Sequence, residues 1–174
     1  MGLLRDNMST EELAEGVSAF LPPSEEEVRR VDLLAIEVRF EKDRDPQALL
    51  HELFLLKAAI AVEYAMGMLE KLGMKPEGIK QFHDIYTRRL SLGLAAASPS
   101  MPGRSVALWM GRMQAYGEAL HRPHPEDVHL NVADAFTRFA GAPDDPQLVT
   151  LCLDTCRSLN QTFIDAIASL GNKP

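Results

Sequence analysis

The amino-acid sequence predicts an all-α fold: a single-domain bundle of six to seven helices around a long central helix at about residues 46–72. Three observations lead to this prediction. Every strong hydrophobic periodicity along the 174 residues is helical. Capping residues and prolines divide the chain into segments of helical length. The composition, with 46% hydrophobic and 25% charged residues, is that of an ordinary globular domain, and we expect residues 1–174 to form one unit.

The first two predicted helices lie in the N-terminal quarter of the chain. Residues 9–12, Ser-Thr-Glu-Glu, have the form of a capping box and open a short helix over about 10–20, which we expect to be peripheral. Two prolines follow it and stop it. Residues 24–27, Ser-Glu-Glu-Glu, form a second capping box, and the helix that they open should run to about Glu41.

The longest predicted helix begins at an Asp45-Pro46 pair, a helix cap followed by a favourable first residue, and stops at Gly73. Its first half, over about 49–62, is apolar nearly all round. Such a helix lies either at the centre of a bundle or in the contact between two subunits. For the second case, the residues expected to form a homodimer contact are Leu49, Leu53, Leu56 and Ile60.

Four more helices are predicted in the remainder of the chain. Prolines and the loop at 98–103, Ser-Pro-Ser-Met-Pro-Gly, separate them. Each carries an apolar stripe at helical spacing. Their expected ranges are about 76–97, 106–120, 125–141 and 146–170.

The charge distribution is uneven and acidic overall. A net charge of −7 argues against a general nucleic-acid-binding protein. Residues 71–122 run against this trend, with eight basic and three acidic side chains. This basic segment either attracts an anionic ligand or acidic partner, or neutralises acidic neighbours within the fold. No apolar run is long enough to span a membrane, and the first residues lack the pattern of a signal peptide. Together with two cysteines expected to be reduced core thiols, this predicts a cytoplasmic protein.

Three of the five histidines fall within residues 121–129, where candidate metal ligands are concentrated. Two Glu-x-x-His pairs occur there, Glu118 with His121 and Glu126 with His129. Side chains three residues apart share one helix face, so a turn that folds two helices together would bring the pairs near each other. Carboxylates and imidazoles suit a divalent metal such as Zn, Fe or Mn. The alternative is structural, because histidines at helix ends and acids at helix starts complement the helix dipole.

The helix at about 106–120 offers a candidate ligand pocket. Its methionine and aromatic side chains line either such a pocket or the core. The pocket residues would be Trp109, Met110, Met113 and Tyr116. Basic residues that would hold the head group of an anionic small molecule are Arg88, Arg89, Arg104 and Arg112.

Two short segments resemble a known family. Residues 19–26, Ala-Phe-Leu-Pro-Pro-Ser-Glu-Glu, and residues 125–129, Pro-Glu-Asp-Val-His, look like parts of the all-helical chaperones that mature molybdenum reductases. The two segments make up less than a tenth of the chain. The resemblance implies an all-helical, chaperone-like protein.

The sequence favours binding over catalysis. It contains no Gly-rich phosphate loop, no Gly-x-Ser-x-Gly elbow, no Cys-x-x-Cys and no His-Glu-x-x-His. The expected function is that of a non-enzymatic cytosolic binding or adaptor protein that acts through protein–protein contacts as a homodimer. The alternatives are a metal-binding bundle that uses the 118–129 segment, and a small-ligand sensor or chaperone-like domain with a pocket near Trp109.

Overall fold

The computed structural model describes residues 46–71, 73–97 and 102–171, and these residues form five α-helices and no strand. The predicted all-α class is therefore confirmed for this part of the chain. The helices predicted over 10–20 and 24–41 lie outside the described residues. The five helices are α1 (Pro46–Lys71), α2 (Pro76–Ala97), α3 (Pro102–His121), α4 (Val128–Phe139) and α5 (Pro146–Gly171).

Helix α1 contacts each of the other four described helices, and α3 lies between α2 and α4 while also packing on α1. Helix α5 packs on α1 and α4. This arrangement explains why α1 tolerates apolar residues on nearly every side. A helix that has neighbours all round needs no solvent face over that length.

Helix boundaries follow from local chemistry. A proline stands at the first residue of four of the five helices, where its missing N–H costs nothing. Helices α1 and α4 are followed by Gly73 and Gly141, whose φ angles of 85° and 75° place them in the left-handed region that favours glycine. The bounds of α1, α2 and α5 agree closely with those predicted.

Helix α4 begins later than the sequence suggested. Proline at 125 was expected to open it, but Asp127 is the capping residue and Val128 is the first helical residue. The Asp127 carboxylate accepts a hydrogen bond from the backbone N–H of His129 at 2.9 Å. Before it, the Nδ1 of His124 accepts from the backbone N–H groups of Glu126 and Asp127, both at 3.2 Å. Since these bonds close a turn across the predicted start, the prediction for this boundary is wrong.

The four residues expected in a dimer contact are buried inside the chain. Exposed fractions are 5% for Leu49 and 0% for Leu53, Leu56 and Ile60. Of the two roles that the sequence left open for this part of α1, burial within the chain is the one the structure has. These side chains are covered within one chain, and the homodimer contact stays a prediction.

The two cysteines lie one turn apart on α5, and both are buried free thiols. Their hydrogen bond to each other, together with burial, raises the pKa of Cys152 above its ordinary value. Thiols in such surroundings remain protonated and behave as small apolar core residues. None of the helices in the described part of the chain is long and apolar enough to cross a membrane.

Candidate functional site: a groove along α2 and α3

The first Glu-x-x-His pair, Glu118 and His121, lies at the C-terminal end of α3. His121 does not meet the second pair but turns to α1, where its Nε2 lies 3.1 Å from Oε2 of Glu63. Glu118 accepts a hydrogen bond from the Gln114 side chain one turn earlier, at 2.9 Å. The carboxylate of Glu63 on α1 therefore contacts His121, and the sequence did not predict that contact.

The second pair, Glu126 and His129, lies around the start of α4. Nδ1 of His129 is 2.8 Å from the Asp127 carboxylate, and Nε2 is 2.6 Å from the hydroxyl of Tyr64 on α1. Because a carboxylate only accepts, Nδ1 carries the hydrogen in the neutral ring and Nε2 accepts from the tyrosine. Burial raises the pKa of Tyr64 far above its usual value, so its hydroxyl remains a donor. Glu126 is exposed in the turn before α4.

The four predicted metal ligands are thus divided between two places. Within residues 46–71, 73–97 and 102–171, no three histidine, cysteine, aspartate or glutamate side chains are grouped so that they could hold a metal ion. His129 uses both ring nitrogens to join α4 to α1. His121 and Glu118 instead contribute to an open groove.

The groove runs along α2 and α3, with α1 at its floor, and has a volume of about 500 Å³. This volume is within the range of sites that hold small molecules or a few side chains. Carboxylate, imidazole, amide and thioether groups line it, and small residues leave it open. The lining residues are Glu63, His83, Met110, Gly111, Met113, Gln114, Gly117, Glu118 and His121.

Glu63 lies at the floor of the groove, in the space that Gly117 leaves beside α3. A Cβ atom at Gly117 would lie 2.8 Å from Oε1 of Glu63, closer than such atoms approach. The carboxylate therefore occupies the space that any other residue at this position would fill. Its side chain is 14% exposed, whereas that of its partner His121 is 75% exposed. A nearly buried carboxylate is thus paired with a ring that lies mostly in solvent.

The residues predicted to line a ligand pocket are divided by the structure between core and groove. Trp109 and Tyr116 are fully buried in the core. Met113 is 7% exposed and Met110 is 43% exposed, and these two line the groove. The indole N–H of Trp109 has no hydrogen-bond partner in the described part of the chain. Two of the four predicted pocket residues, Met110 and Met113, therefore lie at the groove, and the other two lie in the core.

A buried ionic cluster, which the sequence did not predict, joins α1, α3 and α4. The Nε–H of Arg112 donates to both oxygens of Glu52, at 2.8 and 2.9 Å, and the Tyr116 hydroxyl donates to one of them at 2.6 Å. The Arg112 guanidinium also lies over the Phe139 ring, 3.6 Å from its centroid. Burial and the adjacent Glu52 charge raise the pKa of Tyr116 well above its ordinary value.

This cluster accounts for Arg112, one of four basic residues proposed to hold an anionic head group. Its guanidinium neutralises a carboxylate of the same chain. Arg88 and Arg89 lie on the exposed surface of α2, and the side chain of Arg104 lies outside the described residues. Arg88, Arg89 and Arg112 do not line the groove.

Comparison with models of protein families, with curated proteins and with solved structures found no match to this chain.

Proposed function

We propose that the protein is a non-enzymatic binding protein, with an adaptor or chaperone-like role, that holds a segment of a partner protein in the groove along α2 and α3. The observation that carries this proposal is the groove itself, whose walls include Met110 and Met113. Methionine is flexible and polarisable, and it adapts to apolar groups of different shape. The volume of about 500 Å³ fits a few side chains of a peptide segment.

Exposed apolar side chains extend beyond the groove along the same two helices. Thr87 on α2 contacts Met113 on α3, with its hydroxyl 3.9 Å from the sulfur. Leu92 on α2 is 63% exposed and Leu108 on α3 is 36% exposed. These side chains add apolar surface to the two helices that form the walls of the groove.

The contacts of His129 give it a structural role in the fold. His129 is engaged on both ring nitrogens, by Tyr64 and Asp127, and so serves the packing of α4 on α1. We leave the homodimer out of the proposal, because the residues predicted to form its contact are buried within one chain. A cytosolic location is part of the proposal and is supported by the two free thiols on α5.

A model peptide tests the proposal. The probe is an amphipathic helical peptide made of leucine and lysine, titrated into the full-length protein by calorimetry. We expect saturable binding with one peptide per chain. Met110→Ser removes an exposed apolar wall residue worth about 1 kcal/mol, so it should weaken binding roughly fivefold.

The matched control is Ile164→Ser, which removes another exposed apolar side chain, on α5. Ile164 is 48% exposed and does not line the groove. Its substitution should leave the affinity unchanged. Equal weakening by both substitutions, or no binding to the unaltered protein, contradicts the proposal.

A further inference from the structure

We infer that Glu63 selects the partner, by accepting the guanidinium or ammonium group of a basic residue within an otherwise apolar segment. This inference rests on the proposed function and names the chemistry of the bound segment. Three observations support it: the position of Glu63, the exposure of its partner His121, and the charge of the groove. Each of these points to a cation from outside the chain.

A carboxylate as buried as that of Glu63 needs a charged or hydrogen-bonding partner. Its partner in the structure is His121, at 3.1 Å, with a side chain that is 75% exposed. An exposed ring is held weakly, since solvent competes for it and its rotation is nearly free. The contact is therefore easily exchanged for a stronger donor.

Gly117 leaves the space beside α3 that the carboxylate occupies during that exchange. Because a Cβ atom at 117 would lie 2.8 Å from Oε1, this oxygen rests against the α3 backbone. Oε2 is the oxygen that faces His121. An arriving guanidinium takes the place of the imidazole at Oε2, and His121 turns into solvent. A guanidinium carries a permanent positive charge and so adds an ion pair to the hydrogen bond, which a neutral imidazole does not do.

The charge of the groove fits a cationic segment. Among its described lining residues are two carboxylates, on Glu63 and Glu118, and no lysine or arginine. The Glu63 carboxylate lies beside Gly117 of α3. Met110, in the methionine wall, is seven residues or about 10 Å of helix away from Gly117. A helical partner segment would therefore present its basic residue and an apolar residue about two turns apart.

Two peptides that differ by one charge test this inference. One is an amphipathic leucine-rich helix with a single arginine, and the other carries citrulline, a neutral isostere, at the same position. We expect the unaltered protein to bind the arginine peptide roughly tenfold more tightly. Glu63→Gln should remove this preference and leave the affinity for the citrulline peptide.

Glu70→Gln is the matched control, since it makes the same change of charge at an exposed position of the same helix. It should keep the full preference for arginine. A preference that survives Glu63→Gln, or is lost equally in both variants, overturns the inference.

Gly117→Ala provides a test that keeps every charge. The added methyl group displaces the flexible end of Glu63, which can move without unfolding the helix. We expect the preference for arginine to fall while the melting temperature does not. This variant decides the matter even if Glu63→Gln folds poorly.

The outcomes separate the inference from the proposed function. Equal binding of both peptides to the unaltered protein overturns the role of Glu63 and leaves the groove as a binding site. No binding of either peptide overturns both. Loss of the preference in Glu63→Gln and Gly117→Ala, but not in Glu70→Gln, supports both.

Discussion

At the scale of single residues, the buried ion pair of Glu52 and Arg112 explains how a charged side chain is accommodated in the apolar half of α1. The Glu52 side chain is 7% exposed and that of Arg112 is 19% exposed. A carboxylate there is stable only because Arg112 and the Tyr116 hydroxyl satisfy it. Such a pair fixes how α1 and α3 meet, since any other register would leave a charge buried without a partner.

Removing the arginine should therefore be far more costly than removing a surface charge. Arg112→Ala leaves the Glu52 carboxylate without its cation, and we expect a loss of about 3 kcal/mol in the free energy of unfolding, measured with urea. The double variant that combines Arg112→Met with Glu52→Leu removes both charges and should lose less than the single variant. A loss below about 1 kcal/mol in Arg112→Ala, as for an exposed pair, would contradict this account.

The sequence places Glu52 within the apolar stretch at about 49–62, and Arg112 was among the basic residues predicted to hold a ligand. Their pairing could not be predicted, because the two lie 60 residues apart and meet only when α3 packs on α1. Periodicity tells which face of a helix is apolar, and not which neighbour supplies a countercharge.

At the scale of helices, local signals predicted most boundaries and tertiary contacts determined the rest. A proline preceded by aspartate marks the start of α1 and of α5, and such signals act within one turn. At α4 two local signals compete, Pro125 and Asp127. The second prevails because the His129 side chain also bonds to Asp127 and is fixed from α1 by Tyr64.

The start of α4 should show a pH dependence that belongs to Asp127. Hydrogen bonding from the backbone N–H of His129, helped by the His129 side chain, lowers the pKa of Asp127 in the folded state. A carboxyl with a lowered folded pKa stabilises the fold above its unfolded pKa, near 3.9, and loses this contribution as the pH falls through the folded value. Asp127→Asn keeps a capping oxygen but does not titrate.

Thermal melting at pH 5 and pH 3 measures this contribution. Between pH 5 and pH 3, the melting temperature of the unaltered protein should fall further than that of the Asp127→Asn variant. Equal losses in the two proteins would show that the Asp127 carboxylate does not stabilise the start of α4.

At the scale of the whole molecule, the groove depends on the packing of three helices. The sequence predicted an apolar stripe on α3, and the structure turns Trp109, Met113 and Tyr116 of that stripe inward. Met110 of the same stripe is 43% exposed and lines the groove. Which residues of a stripe are covered depends on the distance and angle of neighbouring helices, and a single sequence does not contain these.

The burial of α1 likewise depends on neighbouring helices that a single sequence does not identify. An apolar surface on every side was visible in the sequence, but the same pattern suits the centre of a bundle and a subunit contact. In the structure, α1 contacts four described helices, and Leu53 and its neighbours are buried within one chain. The binding surface that we propose lies on α2 and α3 instead.

Methionine-methyl NMR shows whether a peptide segment binds in this groove. The full-length protein, labelled at its methionine methyl groups, is titrated with the leucine–lysine peptide. We expect the methyl resonances of Met110 and Met113, which line the groove, to shift. The resonance of Met68, which is buried on α1 outside the groove, should change little. Shifts confined to other methionines, or none at saturating peptide, would contradict binding in the groove.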